Sequence, residues 1–254
     1  MKPWTLGFRM PGFISTRLFG ERSKYGLSIQ PDDPEWRKWN DYCFQFYRDT
    51  QQSGAGKYVN ETGYRVLEKV NLEGKTIMEV GPGFIPHLQF WRGKPGKYVI
   101  IDIRQEALGQ SGQILADHGV LAEAYLADSE RYPLADNSVD IVISFFSLEH
   151  LYPLGPYLAE FRRVLRPGGL LVGAIPCEGG LAWGMGRFLT SRRYIRSKIG
   201  VNPDKIICWE HPNYAETILG CCEQYFVPVL TKYWPLKVPS IDLNLVIQLI
   251  LQKK

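Results

Sequence analysis

Short runs of branched apolar residues, each halted by glycine, proline or an acid, recur along the middle of the chain. Residues 77–80 stop at Gly81, residues 98–101 stop at Asp102, and similar runs follow at 121–127, 139–144 and 170–175. Runs of this length and branching predict buried strands. Between them, apolar positions return every three or four residues over 105–118 and 153–165, which predicts helices. A shorter helix is predicted over 85–91, with Pro86 in its first turn. Strands alternating with helices at this spacing predict an α/β fold built on a doubly wound, mostly parallel sheet. Two further strands are expected at 225–233 and 243–251.

Upstream, Asp33-Pro34 opens a helical pattern in which Trp36, Trp39, Cys43, Phe46 and Tyr47 share one face, the mark of core packing. A break at 53–56 separates it from a second helix over 61–70. The first 30 residues carry five basic side chains against Glu21 alone. They read either as an arm over a site or as a solvated, poorly ordered terminus, and the terminus is the expectation. Residues 1–70 are thus expected to be an N-terminal arm and helical cap, and residues 71–254 the α/β domain.

Composition narrows the setting. Hydrophobic content of 45% and charged content of 22% suit a soluble globular protein, and a net charge of +4 is too mild to imply nucleic acid. Cys43, Cys177, Cys208, Cys221 and Cys222 are odd in number and lack Cys-x-x-Cys spacing. Neither a disulfide framework nor a metal site is expected from them, and a cytoplasmic location is the default. The longest apolar stretch, 243–251, is too short to cross a bilayer, which leaves at most peripheral membrane contact.

The chemistry concentrates where the first strand ends, in Glu79-Val80-Gly81-Pro82-Gly83. Gly81 and Gly83 permit a tight turn in which backbone approaches a ligand with no Cβ in the way. Asp102 follows 23 residues after Glu79, the length of one strand-connection-strand unit, and ends the second strand. A carboxylate there can accept two hydrogen bonds from a ribose diol, in preference to merely capping the next helix. A nicotinamide-dependent oxidoreductase uses similar parts. It is disfavoured because Phe84-Ile85-Pro86 follows the turn where a further glycine is needed.

Two more stretches complete a pattern: Ala127-Asp128-Ser129-Glu130-Arg131-Tyr132-Pro133-Leu134 with Asp136-Asn137-Ser138-Val139-Asp140, and Glu160-Phe161-Arg162-Arg163-Val164-Leu165-Arg166-Pro167-Gly168-Gly169. With the glycine turn and Asp102, and in that order, they make residues 76–176 resemble a class I S-adenosylmethionine-dependent methyltransferase of the broad small-molecule type. The family's usual third glycine falls at Ile85. The resemblance implies a seven-stranded Rossmann-like sheet closed by a reversed hairpin, with a substrate lid at about 177–213. It implies S-adenosylmethionine as cofactor and no metal. Gly81 and Gly83 would approach the methionine moiety, with Glu79 ordering the loop beneath. Asp102 would hold the ribose, Ile103 would pack on adenine, and Asp128 would reach the adenine amino group beside Ser129. Ser144 and Phe145 would line the sulfonium side. The intact set argues against a domain that keeps the fold and only binds a partner.

The resemblance also implies methyl transfer to a small-molecule acceptor, with oxygen the first expectation and nitrogen or carbon the alternatives. His150 follows the fourth strand at the carboxyl edge of the sheet, and His211 lies in a polar turn of the expected lid. Either can serve as a general base near neutrality, with Glu149 and Glu210 as orienting acids. His87 and His118 read as structural or exposed. Residues 187–205 carry six basic side chains against Asp204. A solvated face explains this run as well as a guide for a phosphorylated or anionic substrate or a surface that touches acidic lipid headgroups, and a sugar-containing or lipid-linked acceptor would fit it.

Overall fold

A computed structural model describes residues 3–51, 54–127 and 130–254. Seven strands form one sheet: β1 (Thr76–Val80), β2 (Lys97–Asp102), β3 (Ala122–Leu126), β4 (Val139–Phe145), β5 (Leu165–Pro176), β6 (Phe226–Trp234) and β7 (Val246–Lys253). Their order is β3-β2-β1-β4-β5-β7-β6. The first five are parallel, and β7 runs antiparallel between β5 and β6. The order reverses between β1 and β4, and open α/β sheets bind ligands outside the carboxyl ends of strands at such a point.

The inner strands of the sheet are buried on both faces, which is why they read as continuous apolar runs, while the edge strands β3 and β6 are largely exposed. One face packs Ile77, Tyr98 and Ile100 against Leu67, Leu108 and Leu115. The other packs Met78, Val99 and Val142 against Leu158, Phe161 and Ile218. The helices are α1 (Gly12–Phe19), α2 (Arg22–Tyr25), α3 (Pro34–Gln51), α4 (Gly54–Tyr64), α5 (Gln105–Asp117), α6 (Leu154–Val164), α7 (Leu181–Leu189), α8 (Ser191–Tyr194), α9 (Pro203–Glu210) and α10 (Ala215–Tyr225). A single π-helical turn, Ile195–Ile199, continues α8. Trp39, Cys43 and Phe46 of α3 share a separate core with Ile195, Ile199 and Ile206, so the N-terminal helices and the segment before the last strands pack as one cover.

Three expectations change. The connection after β1 is not a helix over 85–91, because only Leu88–Phe90 forms a 3-10 turn. Ile85 adopts φ 47°, incompatible with a helical start, and the His87 side chain is drawn down onto Glu79. The helix expected over 61–70 is instead the end of α4 followed by a 3-10 stretch, Arg65–Lys69. The N-terminal segment is not a solvated terminus: Leu18 and Phe19 are buried. The backbone N–H groups of Leu6 and Gly7 donate to the buried Asp242 carboxylate, at 2.5 and 2.8 Å. That charged acceptor draws the arm onto the protein.

The ends of β4 and β5 stay level because the two strands approach closely at Gly173. A Cβ built there would lie 1.8 Å from the Ser144 carbonyl oxygen, which is backbone and cannot swing aside. Gly173→Ala is therefore expected to destabilise the fold by about 3 kcal/mol, at the upper end of overpacking costs, as read by denaturant unfolding. Gly186→Ala, which meets nothing within 4 Å on an exposed helix face, is expected to stay within about 1 kcal/mol of the parent or to gain stability.

Candidate active site

The turn after β1 is held from below. Gly81 and Gly83 have φ of 69° and 57°, in the left-handed region that glycine enters without strain. A Cβ on Gly81 would sit 2.9 Å from the Ser147 Cβ, whereas one on Gly83 would meet nothing, so open space lies beside that residue. Glu79 is fully buried beneath the turn. Its Oε2 accepts from the Tyr98 hydroxyl at 2.5 Å and its Oε1 faces His87 Nε2 at 2.8 Å. Trp91 Nε1 donates to His87 Nδ1 at 2.9 Å, which leaves the ring proton on Nε2 and directs it at the carboxylate. Ser111 Oγ donates to the Gly83 carbonyl at 2.7 Å and pins the turn from α5.

Asp102 ends β2, and its Oδ1 accepts from the Arg104 backbone N–H at 2.9 Å. Burial raises its pKa above the ordinary carboxylate value, against the pull of that hydrogen bond and of the Arg104 charge. The next residue, Ile103, is 70% exposed, an apolar surface at the strand tip. A cavity of about 460 Å³ opens at the carboxyl ends of β2 and β3, lined by Ile101, Leu126, Ala127, Arg131, Tyr132 and Pro133 among others. Asp128 and Ser129 lie outside the described residues. Above, α3 covers this edge. The Phe44 ring meets Phe84 edge-on at 5.9 Å, and the Arg104 guanidinium stands 5.1 Å from the Phe44 ring centre.

Ser144 and Phe145 point inward. The Ser147 hydroxyl donates to the Val80 carbonyl at 3.0 Å, and the Ser144 hydroxyl bonds to Ser147 Oγ at 2.5 Å. Phe145 packs among Tyr64 and His87, with ring centres 5.1 Å away in each case. An open, Cβ-free turn, a strand-end carboxylate and an exposed apolar side chain next to it match the amino-acid end, ribose diol and base of an adenosyl cofactor. The residues present fit S-adenosylmethionine.

The second half of the site lies two strands further along the same edge. His150 leaves β4 through a turn closed by its N–H on the Ser147 carbonyl, and Glu178 follows β5. His211 and Glu210 come from the end of α9. The two imidazoles meet edge to face with centres 4.7 Å apart. His150 Nδ1 lies 3.3 Å from Glu210 Oε2, and its Nε2 lies 4.0 Å from Glu149 Oε1. His211 Nδ1 lies 2.8 Å from Glu178 Oε2 and 3.0 Å from the Arg187 guanidinium, which forms a two-pronged ion pair with Glu178. Asn213 ties the turn down by donating to the Leu148 and Leu151 carbonyls. Arg22 donates to the His211 carbonyl at 2.8 Å, so the N-terminal arm also holds this corner.

These neighbours push the two histidines apart. Burial disfavours the charged His150 ring, but the hydrogen bond and charge of Glu210, with the charge of Glu149, outweigh it and raise the pKa. For His211, burial and the Arg187 charge outweigh Glu178 and lower the pKa to about 4. Burial raises Glu149 to about 7 against the attraction of His150, and its Oε2 is buried with no hydrogen-bond partner. Glu210 is held at about 2 in spite of burial, chiefly by its bond to His150. Sequence reasoning places His150, His211, Glu149 and Glu210 here and misses Glu178 and Arg187. Arg187 is hidden in a basic run that reads equally as a solvated face or as a guide for an anionic ligand. The position of Glu178 two residues past the end of β5 is the one signal for it.

Comparison with known proteins agrees with this layout. Residues 78–173 match the model of a methyltransferase domain. The chain is 31% identical over 128 residues to the malonyl-[acyl-carrier protein] O-methyltransferase of Yersinia pestis, covering 50% of this chain and 46% of that protein. It is 38% identical over 80 residues to the ubiquinone/menaquinone biosynthesis C-methyltransferase UbiE of Paraburkholderia xenovorans, covering 32% and 33%. It thus spans less than half the length of these curated relatives. The crystal structure of a SAM-dependent methyltransferase from Aquifex aeolicus superposes with a TM-score of 0.56 at 19% identity, over 83% of this chain and 98% of that one. Residues 78–173, which hold the glycine turn and its strand-end acid, are thus similar to a methyltransferase domain, and the likeness to the solved structure extends the same fold over most of the chain.

Proposed function

We propose that this protein transfers the methyl group of S-adenosylmethionine to a small-molecule acceptor, at an oxygen, with His150 as the general base. The observation that carries the proposal is the pairing of His150 with Glu210 and Glu149 on the same carboxyl edge as the glycine turn and Asp102. The sulfonium of the bound cofactor supplies an already activated methyl group. What remains for this chain is to align the acceptor, exclude water and take up a proton. Orientation of this kind can supply roughly 7–11 kcal/mol, and a positioned base about 10²–10⁴-fold.

His150 is the stronger base of the pair because its carboxylate neighbours stabilise the imidazolium that forms, the role a buried acid plays beside a catalytic histidine. Burial, and after it the Arg187 charge, oppose a proton on His211. His211 therefore stays neutral and offers a hydrogen bond. With its orphaned Oε2 and raised pKa, Glu149 provides a further place for an acceptor hydroxyl to bond. The O-methyltransferase named above supports an oxygen acceptor. The quinone-pathway C-methyltransferase makes carbon acceptors the first controls.

Calorimetry is expected to show S-adenosylmethionine binding and no NAD binding. Asp102→Ala should weaken the cofactor about 10- to 100-fold, the worth of one or two hydrogen bonds to a charged acceptor. Undiminished affinity would remove Asp102 from the site. In a methyl-transfer screen read by adenosylhomocysteine release, His150→Ala should lower turnover at least about 10²-fold while leaving cofactor affinity unchanged.

The pH profile tests the assignment further. A base must begin neutral, so activity should fall as pH drops through the raised pKa of His150, on the alkaline side of the ordinary 6.5. Glu210→Gln removes the neighbour that raises it and should move this acid limb to lower pH. Were His211 the base, activity would persist down to about pH 4, where that residue titrates.

A further inference from the structure

The basic run at 187–205 divides in two. Arg187 pairs with Glu178, Arg192 with Asp204 at 2.7 Å, and Lys205 with Asp33 and Glu35 at 2.8 and 2.6 Å. Arg193, Arg196 and Lys198 are exposed, and no carboxylate among the described residues forms an ion pair with them. Between them, the Tyr194 hydroxyl donates to Asp49 of α3 at 2.6 Å.

The same helical run turns large apolar side chains outward. Gly184 and Arg187 are buried on α7, and after a break at Thr190 (φ −115°, ψ −86°) Arg192, Ile195 and Ile199 are buried on the segment that follows. The opposite positions leave Met185, Phe188 and Leu189 at 49%, 37% and 51% exposure. Alongside, α1 packs Leu18 and Phe19 against Gly184 and carries Phe13, 71% exposed, one turn before the exposed Arg17. Singly exposed apolar residues are ordinary, but four on two adjoining helices, bordered by unpaired cations, are not.

We propose that the outer face formed by α1, α7 and the continuation to Ile199 is a docking surface for an anionic lipid bilayer. Phe13, Met185, Phe188 and Leu189 would enter the boundary between headgroups and acyl chains, and Arg193, Arg196 and Lys198 would meet lipid phosphates. This division of apolar and basic positions is that of helices lying in a membrane interface. Charge selects the occupant. A second copy of the chain seated on this face would bring three unpaired cations against three more, and a neutral surface would leave them unsatisfied. No helix among the described residues is long and apolar enough to cross a membrane, so the contact is peripheral.

The test is co-sedimentation of the full chain with phosphatidylcholine vesicles, with and without phosphatidylglycerol, at low and high salt. Binding is expected only with phosphatidylglycerol and is expected to weaken with salt. Each basic side chain near such a surface contributes about fivefold to partitioning. Combined Arg193→Glu, Arg196→Glu and Lys198→Glu should therefore lower it at least about 100-fold, with circular dichroism and melting unchanged. Met185→Ser with Leu189→Ser should weaken binding and leave its salt dependence in place. Absence of vesicle binding, equal binding to neutral vesicles, or undiminished binding by the charge-reversed protein would overturn the proposal. So would capture of an acidic protein in place of vesicles, or a wild-type dimer that the Met185→Ser, Leu189→Ser protein fails to form.

Discussion

The site rests on one buried carboxylate. Glu79 lies on β1 in the apolar floor under the glycine turn, where an uncompensated charge would cost several kcal/mol. Tyr98 and His87 occupy its two oxygens, and Trp91 fixes the His87 tautomer. Bonds to a charged acceptor are roughly twice as strong as neutral ones, so the set can offset the burial of its own charge. Its consequence is geometric. In place of a helix after β1, an irregular connection is tied through His87 to the strand it came from and through Trp91 to β2, where Trp91 stacks on Tyr98 with centres 5.3 Å apart. Gly81 and Gly83 are thereby presented on a rigid base although the segment beyond them has almost no regular structure.

The same device appears at the other end of the edge, with a different outcome. Glu178 is also fully buried, but its partners Arg187 and His211 arrive from α7 and the end of α9. Removing either one would leave a buried charge uncompensated, which is far more costly than never having made the pair. The cover over β4 and β5 is thus locked down by electrostatics as well as by the apolar core it shares with α3. Two histidines less than 5 Å apart then differ in proton affinity, His150 raised by Glu210 and Glu149 against its burial, and His211 lowered by burial and the Arg187 charge against Glu178. Separated affinities for protons at such a distance suit the division into base and hydrogen-bond donor proposed above.

Legibility in the sequence follows the range of the forces involved. The strands and the helices between them were readable because each is fixed by a local apolar period and by its own stops. Their order in the sheet follows from the family pattern and the handedness of the crossovers. Asp102 was readable because a strand tip has a fixed offset from the strand before it. The helix expected at 85–91 fits Pro86 and the apolar spacing, and what replaces it, the positive φ of Ile85 and the contact of His87 with Glu79 eight residues earlier, leaves no mark in that spacing. Glu178 and Arg187 are hidden for a related reason: in the basic run Arg187 and Arg192 are buried against acids while Arg193 and Arg196 face solvent, and the residue types alone do not mark which arginine finds a partner. The N-terminal arm was misjudged because its anchor, Asp242, lies more than 230 residues away.

The cover and the chemistry cannot be separated, and Glu210 is the reason. Its Oε1 accepts from Trp39 Nε1 at 2.5 Å and its Oε2 from the Tyr47 hydroxyl at 3.1 Å, while the same Oε2 faces His150 Nδ1. Trp39 and Tyr47 are two helical turns apart on α3, the helix whose Phe44 also reaches the glycine turn. A shift of α3 by even one ångström would alter the acid that sets the affinity of His150 for its proton. It would also move the roof over Asp102. The aromatic stripe that reads in the sequence as plain core packing is therefore also the strut that keeps the cofactor edge and the acceptor edge in fixed relation. Hydrophobic burial of Trp39 and Phe46 supplies the stability, and the hydrogen bonds of Trp39 and Tyr47 supply the register.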